Sequence, residues 1–389
     1  MSSKRLLFIT QVYPSGATGT TVKTRNTLSF LLAKGFEIDV CCVHHQAMVK
    51  NEFVAKGLRI FTVPKEVVSK VNLKYFLKAA AVVLSPLPFR IKKMYDKRLE
   101  ILFSVLENNF TYDYVFFDGF STLQYAKRYQ KNYIYIDDED ISDLLAKRGR
   151  ETTSILLKLF FKLERLKCLN YELKFLPRVS QLWAISPNTH KRLKKLTKAK
   201  SILMPTVVPF KQNAYRKQSK DIVFSGLLSW MENVQGLKWF LENHWERILQ
   251  ERPTTKLIIT GQLASEELQN YLKDFRNVIL KGYVDDLFEV YSKCALAISP
   301  ILINSGIKVK VLTYLSYGLP VVALSQSTWG MSSSKGLGAT NEESFGRAVV
   351  SLLKNDEERH TLASEGISNI KKYHSDQTLE NFFHKVGII

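Results

Sequence analysis

No stretch of this 389-residue chain reaches the run of about eighteen uninterrupted apolar residues that a membrane-crossing helix needs, so no span is expected. Cysteine is scarce as well. Cys41, Cys42, Cys168 and Cys294 are the only four; they show no metal-ligand spacing and three sit in apolar runs. That pattern predicts buried, reduced thiols rather than a disulfide framework or a zinc site. The first residues, MSSKRLLFITQVYP, are basic and briefly apolar, but they lack the length and small-residue cleavage site of a secretory signal. They read as a first strand. Internal repeats and low-complexity tracts are missing too. So is a dinucleotide fingerprint, because Gly16 and Gly19 lack the further glycine that such a loop requires.

What the chain does have is an uneven charge. The net charge is +20, and residues 1–210 hold 35 Lys and Arg against 17 Asp and Glu, whereas residues 211–389 hold 21 against 19. The excess therefore lies in the first half. Such asymmetry points to a polyanionic partner for that half: a membrane surface, an anionic lipid-linked substrate or nucleic acid. The basic residues are spread over many helical patterns with no recognised nucleic-acid motif, so no nucleic-acid partner is expected.

A hydrophobic content of 46% over this length supports two domains with cores of their own. Short β-rich runs alternate with helical patterns, the signature of parallel sheets covered by helices on both faces. Strands are predicted at Arg5–Tyr13, Glu37–Val43, Leu58–Val63, Tyr114–Asp118, Tyr133–Asp137, Leu182–Ser186 and Ser201–Met204. In the second half they fall at Ile222–Gly226, Lys256–Thr260, Val278–Gly282, Ala295–Ser299 and Val321–Leu324. The fold class is α/β, with a first domain over 1–208, a polar linker over 209–220, a second domain over 221–375 and a last helix over 376–389.

The segment GIKVKVLTYLSYGLPVV, Gly306 to Val322, carries the most chemistry. After the strand at Ala295–Ser299 come Asn304, Ser305 and Gly306, a small-residue turn, and then a helix bearing Lys308 and Lys310. Gly318 sits where a left-handed C-cap residue belongs, and Pro320 cannot continue a helix. The helix start faces the carboxyl end of a parallel strand, where open α/β sheets bind ligands and free amides attract anions. Two lysines in a first turn oppose the helix dipole. Either an anion resolves that conflict or both lysines are solvated.

This string resembles the donor-site segment of glycosyltransferase family four, in the branch patterned Ser-Gly-Ile-Lys-x-Lys-Val-Leu-Glu-Ala-Met-Ala-x-Gly-x-Pro-Val-Val. Gly306, Ile307, Lys308, Lys310, Val311, Leu312, Gly318, Pro320, Val321 and Val322 match. Thr313 stands where the family has a glutamate that usually holds the ribose, and Ser305 where many members have an earlier glutamate. The resemblance covers nearly the whole chain and implies the GT-B architecture: two Rossmann-like doubly wound parallel-sheet domains facing a central cleft, with the last helix crossing back to the first domain.

Further positions follow from the resemblance. FSGLLSWMENVQGLKWFLENHW is similar to the opening of the donor domain, with Gly226, Trp230, Asn233 and Trp239 matching, while Leu227 and Asn233 replace an arginine and a lysine that grip diphosphate in many members. Lys308 and Lys310, with the amides of Ser305, Gly306 and Ile307, become the candidates for that task. KGYVDD is similar to the segment that reads the base, which makes Tyr283 and Val284 base neighbours, or Tyr283 plain core. In the first domain Gly19, Thr20 and Lys23 resemble a loop bordering the cleft.

YIYIDDEDIS ends a strand with four carboxylates. Clustered in this way, Asp137, Asp138, Glu139 and Asp140 hold a proton near neutrality and serve as acid or base, or Asp140 or Ser142 caps the next helix. Asp137, Glu139 and Asp140 are the catalytic candidates. Glu164 and Glu172 either support the cleft or pair with lysines on a helix face. YFLKAAAVVLSPLPF, flanked by Lys70, Lys74, Lys78, Arg90, Lys92 and Lys93, has the composition of a segment resting on an anionic leaflet, or of a core helix.

The resemblance implies a cytoplasmic, membrane-peripheral enzyme that moves a sugar, with retention, from a UDP- or GDP-sugar to a glycan or lipid-linked acceptor. It implies no metal and no separate cofactor. The alternative is a non-catalytic subunit or chaperone of the same fold that binds a glycan, a membrane or a partner transferase, motivated by Thr313 and the missing Arg/Lys pair.

Overall fold

The computed structural model describes residues 4–15, 19–44, 52–64, 85–137, 141–211, 213–216, 218–302, 307–328, 331 and 333–389. They divide into two units, Met1–Met204 and Pro205–Ile389. The first holds β1 (Arg5–Thr10), β2 (Glu37–His44), β3 (Leu58–Pro64), β4 (Tyr114–Asp118), β5 (Tyr133–Asp137), β6 (Gln181–Ala184) and β7 (Lys200–Leu203). Its helices are α1 (Gly19–Ala33), α2 (Phe89–Met94), α3 (Lys97–Asn109), α4 (Ile141–Glu151), α5 (Ile155–Phe175) and α6 (Pro187–Leu196). The strands form one sheet in the order β3-β2-β1-β4-β5-β6-β7, every neighbouring pair parallel.

The second unit holds β8 (Asp221–Ser225), β9 (Leu257–Thr260), β10 (Val278–Gly282), β11 (Cys294–Ser299), β12 (Val321–Leu324) and β13 (Leu337–Thr340). Between and after them lie α7 (Met231–Phe240), α8 (Glu246–Glu251), α9 (Glu266–Lys273), α10 (Leu287–Tyr291), α11 (Val309–Ser316), α12 (Phe345–Lys354), α13 (Asp356–Tyr373) and α14 (Asp376–Val386). Its sheet runs β10-β9-β8-β11-β12-β13, again parallel throughout. Strands covered on both faces read as continuous apolar runs, and β5 and β11 are buried at every position. Both units are Rossmann-like.

The predicted strands recur within a few residues of their expected ends. β13 is an addition. Its sequence LGAT has neither alternation nor β-branched density, and it is ordered by pairing along β12, Val321 to Leu337 through Leu324 to Thr340. All four cysteines are unpaired and buried, and burial pushes the Cys42 thiol up to about 12. Most of the stretch expected as a membrane segment lies outside the described residues; of it, Phe89 and the lysines that follow form the short α2.

The polar stretch expected as a linker is bonded into the second unit. Lys211 and Ala214 donate their amides to the carbonyls of Ser316 and Tyr317 (3.1 and 2.7 Å), so it supplies partners for the open carbonyl end of α11. Gly318 closes the same helix end with φ +67°, its amide donating to Leu315 and that of Leu319 to Tyr314, the paired bonds of a left-handed cap. A Cβ at Gly318 would stand 2.6 Å from Asn213 Oδ1. Gly318→Ala is expected to lower stability by about 1–2 kcal/mol, read as an earlier midpoint in urea denaturation.

Candidate functional site

In each sheet the strand order reverses once, between β1 and β4 and between β8 and β11. Ligands of open α/β sheets bind outside the carboxyl ends of the strands at that point. In the second unit the place is crowded by backbone. A Cβ at Gly236 of α7 would lie 2.2 Å from the Pro300 carbonyl just past β11, and one at Gly261, φ +150°, would lie 1.8 Å from the carbonyl of Gly226 just past β8. Glycine at these positions lets the helix and the loops close over the strand ends.

Lys310, on the first turn of α11, reaches into this corner. Its Nζ donates to Asn233 Oδ1 at 2.6 Å and stands 4.4 Å from the centre of the Phe224 ring. Asn233 in turn donates from Nδ2 to the Leu227 carbonyl (2.9 Å), which fixes its amide so that the oxygen faces the ammonium. A Cβ on Gly226 would come within 3.1 Å of the same ammonium. Among the described residues no carboxylate pairs with Lys310. Burial, aided by the charge of Lys308, lowers its pKa to about 7. A cation held this way is matched by a neutral amide and a ring face, which leaves it open to an anion.

The other predicted donor-site residues arrange around it. Ile307 and Lys308, both partly buried, lead into α11, and Lys308 occupies its N-cap position; Ser305 and Gly306 lie outside the described residues. Thr313 is one turn further on and donates its hydroxyl to the Val309 carbonyl (2.9 Å), so its hydroxyl proton is engaged within the helix. Tyr283 and Val284, partly buried, follow β10, two strands from β8 and thus about 10 Å across the same sheet edge. One feature was missed by the sequence reading. Tyr314 accepts the Ser225 amide (2.6 Å) and Ser225 Oγ accepts from Thr260 (2.7 Å), with Tyr291 also bonded to that hydroxyl. This network fixes the end of β8 from α11, and its only sequence signal was a pair of tyrosines among apolar neighbours.

In the first unit the corresponding corner is internally neutralised. Asp118 at the end of β4, beside Thr10 of β1, accepts from Lys23 Nζ (2.7 Å) and Thr24 Oγ1 (2.5 Å), and all three are buried. Lys23 is thus tied into an ion pair, whereas Gly19 and Thr20 open α1 and are exposed. The role of Asp118 was not read from the sequence; a lone aspartate after YVFF was the available signal.

The acidic cluster is represented by Asp137, fully buried at the end of β5. Its carboxylate accepts from Arg192 Nη2 (2.7 Å), and the same guanidinium bonds Glu172 (2.5 Å). Glu139 and Asp140 lie outside the described residues. Ser142 does not cap the next helix, because α4 starts at Ile141. Glu164 accepts the Phe89 amide (2.6 Å) and the Lys167 ammonium (2.8 Å). Of the two helix glutamates, this one pairs with a lysine as one reading had it, while Glu172 holds an arginine from α6.

Comparison with known proteins bears on the same regions. Residues 219–355, all within the second unit, match the family model for glycosyl transferases group 1. A Klebsiella pneumoniae protein described as an uncharacterized 44.6 kDa protein in the cps region is 26% identical over 191 residues, 46% of this chain and 49% of that protein. The poly(glycerol-phosphate) alpha-glucosyltransferase of Bacillus subtilis is 26% identical over 181 residues, 44% of this chain and 26% of that enzyme. The chain thus spans half or less of the curated relatives it matches. Among solved structures, a TarM variant of S. aureus in complex with Fondaparinux, alpha-GlcNAc-glycerol and UDP covers 98% of this chain and 99% of its own, with a TM-score of 0.67 at 11% identity. The fold is GT-B.

Proposed function

We propose that this protein is a retaining glycosyltransferase that moves a hexosyl-type sugar from a nucleoside-diphosphate donor to a glycan or lipid-linked acceptor of a cell-surface polymer, working at the cytoplasmic face of a membrane. The observation that carries the reading is Lys310, an ammonium without a carboxylate partner among the described residues, placed beside Gly226 where the strand order reverses. The TarM variant holding UDP and the Bacillus alpha-glucosyltransferase make a UDP-sugar the first donor to test.

In this reading Lys310, helped by Lys308 and by the amides of Ser305, Gly306 and Ile307, holds the diphosphate. Negative charge grows on that group as its bond to the sugar breaks, so a fixed cation there favours the transition state over the ground state. Gly226 lets the phosphates approach the backbone, and Tyr283 and Val284 flank the base. In the first unit Gly19 and Thr20 border the acceptor side, while Lys23 is held by Asp118. Asp137 is held by Arg192 and serves as a support, which leaves Glu139 and Asp140 as the carboxylates for proton transfer.

The test is release of free UDP or GDP from labelled nucleotide-sugars, with and without a membrane glycolipid extract. Acceptor-dependent release from one donor supports the reading. If every donor stays intact and none binds, the non-catalytic subunit of the same fold stands in its place, as Leu227, Asn233 and Thr313 would then imply. Because the Thr313 hydroxyl already bonds Val309, Thr313→Val is expected to leave nucleotide affinity within about twofold, measured by calorimetric titration.

A further inference from the structure

The first unit exposes a helix whose solvent face is apolar. Along α5, Ile155, Leu156, Leu159, Leu163, Leu166 and Leu173 are exposed, Ile155 and Leu156 at 81% and 80%. At 100° per residue these six span about a quarter of the helix circumference; Leu157, half-exposed, lies on the far side of the helix. The buried residues of the same helix, Glu164, Cys168, Tyr171, Glu172 and Phe175, lie on the opposite side. The helix therefore has two apolar faces, one turned into its own unit and one turned outward, and contiguous exposed apolar surface of this kind marks an interaction site.

Charge decides what the outer face fits. Lys158, Lys162 and Arg165 are exposed along one flank of the leucine stripe, and Lys167 and Lys174 fall on the other. Both acidic residues of the helix, Glu164 and Glu172, are buried and carry bonds to Lys167 and Arg192. Leucines flanked by Lys158, Lys162 and Arg165 on one side and by Lys174 on the other match a bilayer surface of anionic lipid, the leucines entering the boundary of headgroups and acyl chains and these cations resting on phosphates. A second copy of this helix would bring like charges together.

We infer that α5 is the element by which this protein lies on an anionic membrane. The 21 residues of α5 extend about 30 Å, and no helix among the described residues is long and apolar enough to cross, so the contact is in the plane of the surface. The inference deepens the membrane part of the proposed function and stands apart from donor binding.

The test is co-sedimentation of the whole protein with vesicles of phosphatidylglycerol and phosphatidylethanolamine, against vesicles of phosphatidylcholine. The native protein is expected to pellet with the anionic vesicles and stay largely in solution with the neutral ones. A variant carrying Leu156→Gln, Leu159→Gln, Leu163→Gln and Leu166→Gln is expected to partition at least about tenfold less while still melting cooperatively, because Leu156 is mostly exposed and the other three about half exposed. Lys158→Glu with Lys162→Glu is expected to weaken binding and abolish the preference for anionic lipid. Binding by the leucine variant equal to native, or no binding by the native protein, overturns the inference, whatever light scattering gives for the oligomeric state. Nucleotide titration is independent of the vesicles, so failure of one reading does not mask failure of the other.

Discussion

Lys310→Met should yield a protein that is more stable at pH 7 and no longer binds a nucleoside diphosphate. Among the described residues the native ammonium is matched only by an amide oxygen and a ring, and burial has brought its pKa down to about 7. A depressed lysine pKa means that folding disfavours the charged form. Below pH 7 both native and unfolded chains carry the proton, and the native state bears the full cost of the buried charge. Between pH 7 and the ordinary lysine range the unfolded chain keeps a proton that the native chain has released, so native stability rises with pH. Methionine removes the charge and keeps much of the volume.

A gain of about 1–4 kcal/mol is expected below pH 7, shrinking as pH rises through that window, and is measured as the denaturation midpoint of the two proteins across pH. Binding has the opposite dependence on the ammonium. An anion needs the charged form, so native affinity for the nucleotide should hold below pH 7 and fall by up to about tenfold per pH unit above it. In the variant both the affinity and this pH profile disappear. A residue retained only for folding would show the reverse, a loss of stability with binding intact.

Gly261→Ala should destabilise the second unit by about 3 kcal/mol or more and weaken nucleotide binding in the molecules that remain folded. Its φ of +150° is one that side chains rarely adopt, and the added Cβ would lie 1.8 Å from the Gly226 carbonyl. Backbone cannot step aside there cheaply, since the Gly226 amide donates to Thr260 and that of Gly261 to Gly282. Strain and overpacking therefore add. Thermal denaturation reads the first effect, and titration of the folded fraction reads the second, because any shift of Gly226 moves the backbone next to Lys310.

The sheets were legible because parallel strands buried on both faces are written as apolar runs, as in CALAIS and YIYID. The edge strand LGAT was not, since its order comes from β12 rather than from its own side chains. The same distinction holds in the site. Gly318 and Pro320 announced the end of α11 locally, and Lys310 stood out as a cation at the wrong end of a helix. Its fixation by Asn233, 77 positions away, belongs to tertiary contact. So does the pairing of Lys23 with Asp118, 95 positions apart, which draws a residue expected at the border of the cleft into a buried ion pair. The leucine face of α5 was hidden for a different reason: apolar residues on both sides of a helix read as core until exposure separates them.

The proposed role of Lys310, holding the diphosphate of a sugar nucleotide, can be tested by itself. Calorimetric titration of the native protein with UDP, GDP and ADP side by side at pH 6.5, repeated with Lys310→Met, tests it most directly. Binding of one nucleotide, and its loss in a variant that melts at higher temperature, are expected. A folded native protein that binds none of them, or a variant that binds as tightly as the native chain, would contradict it.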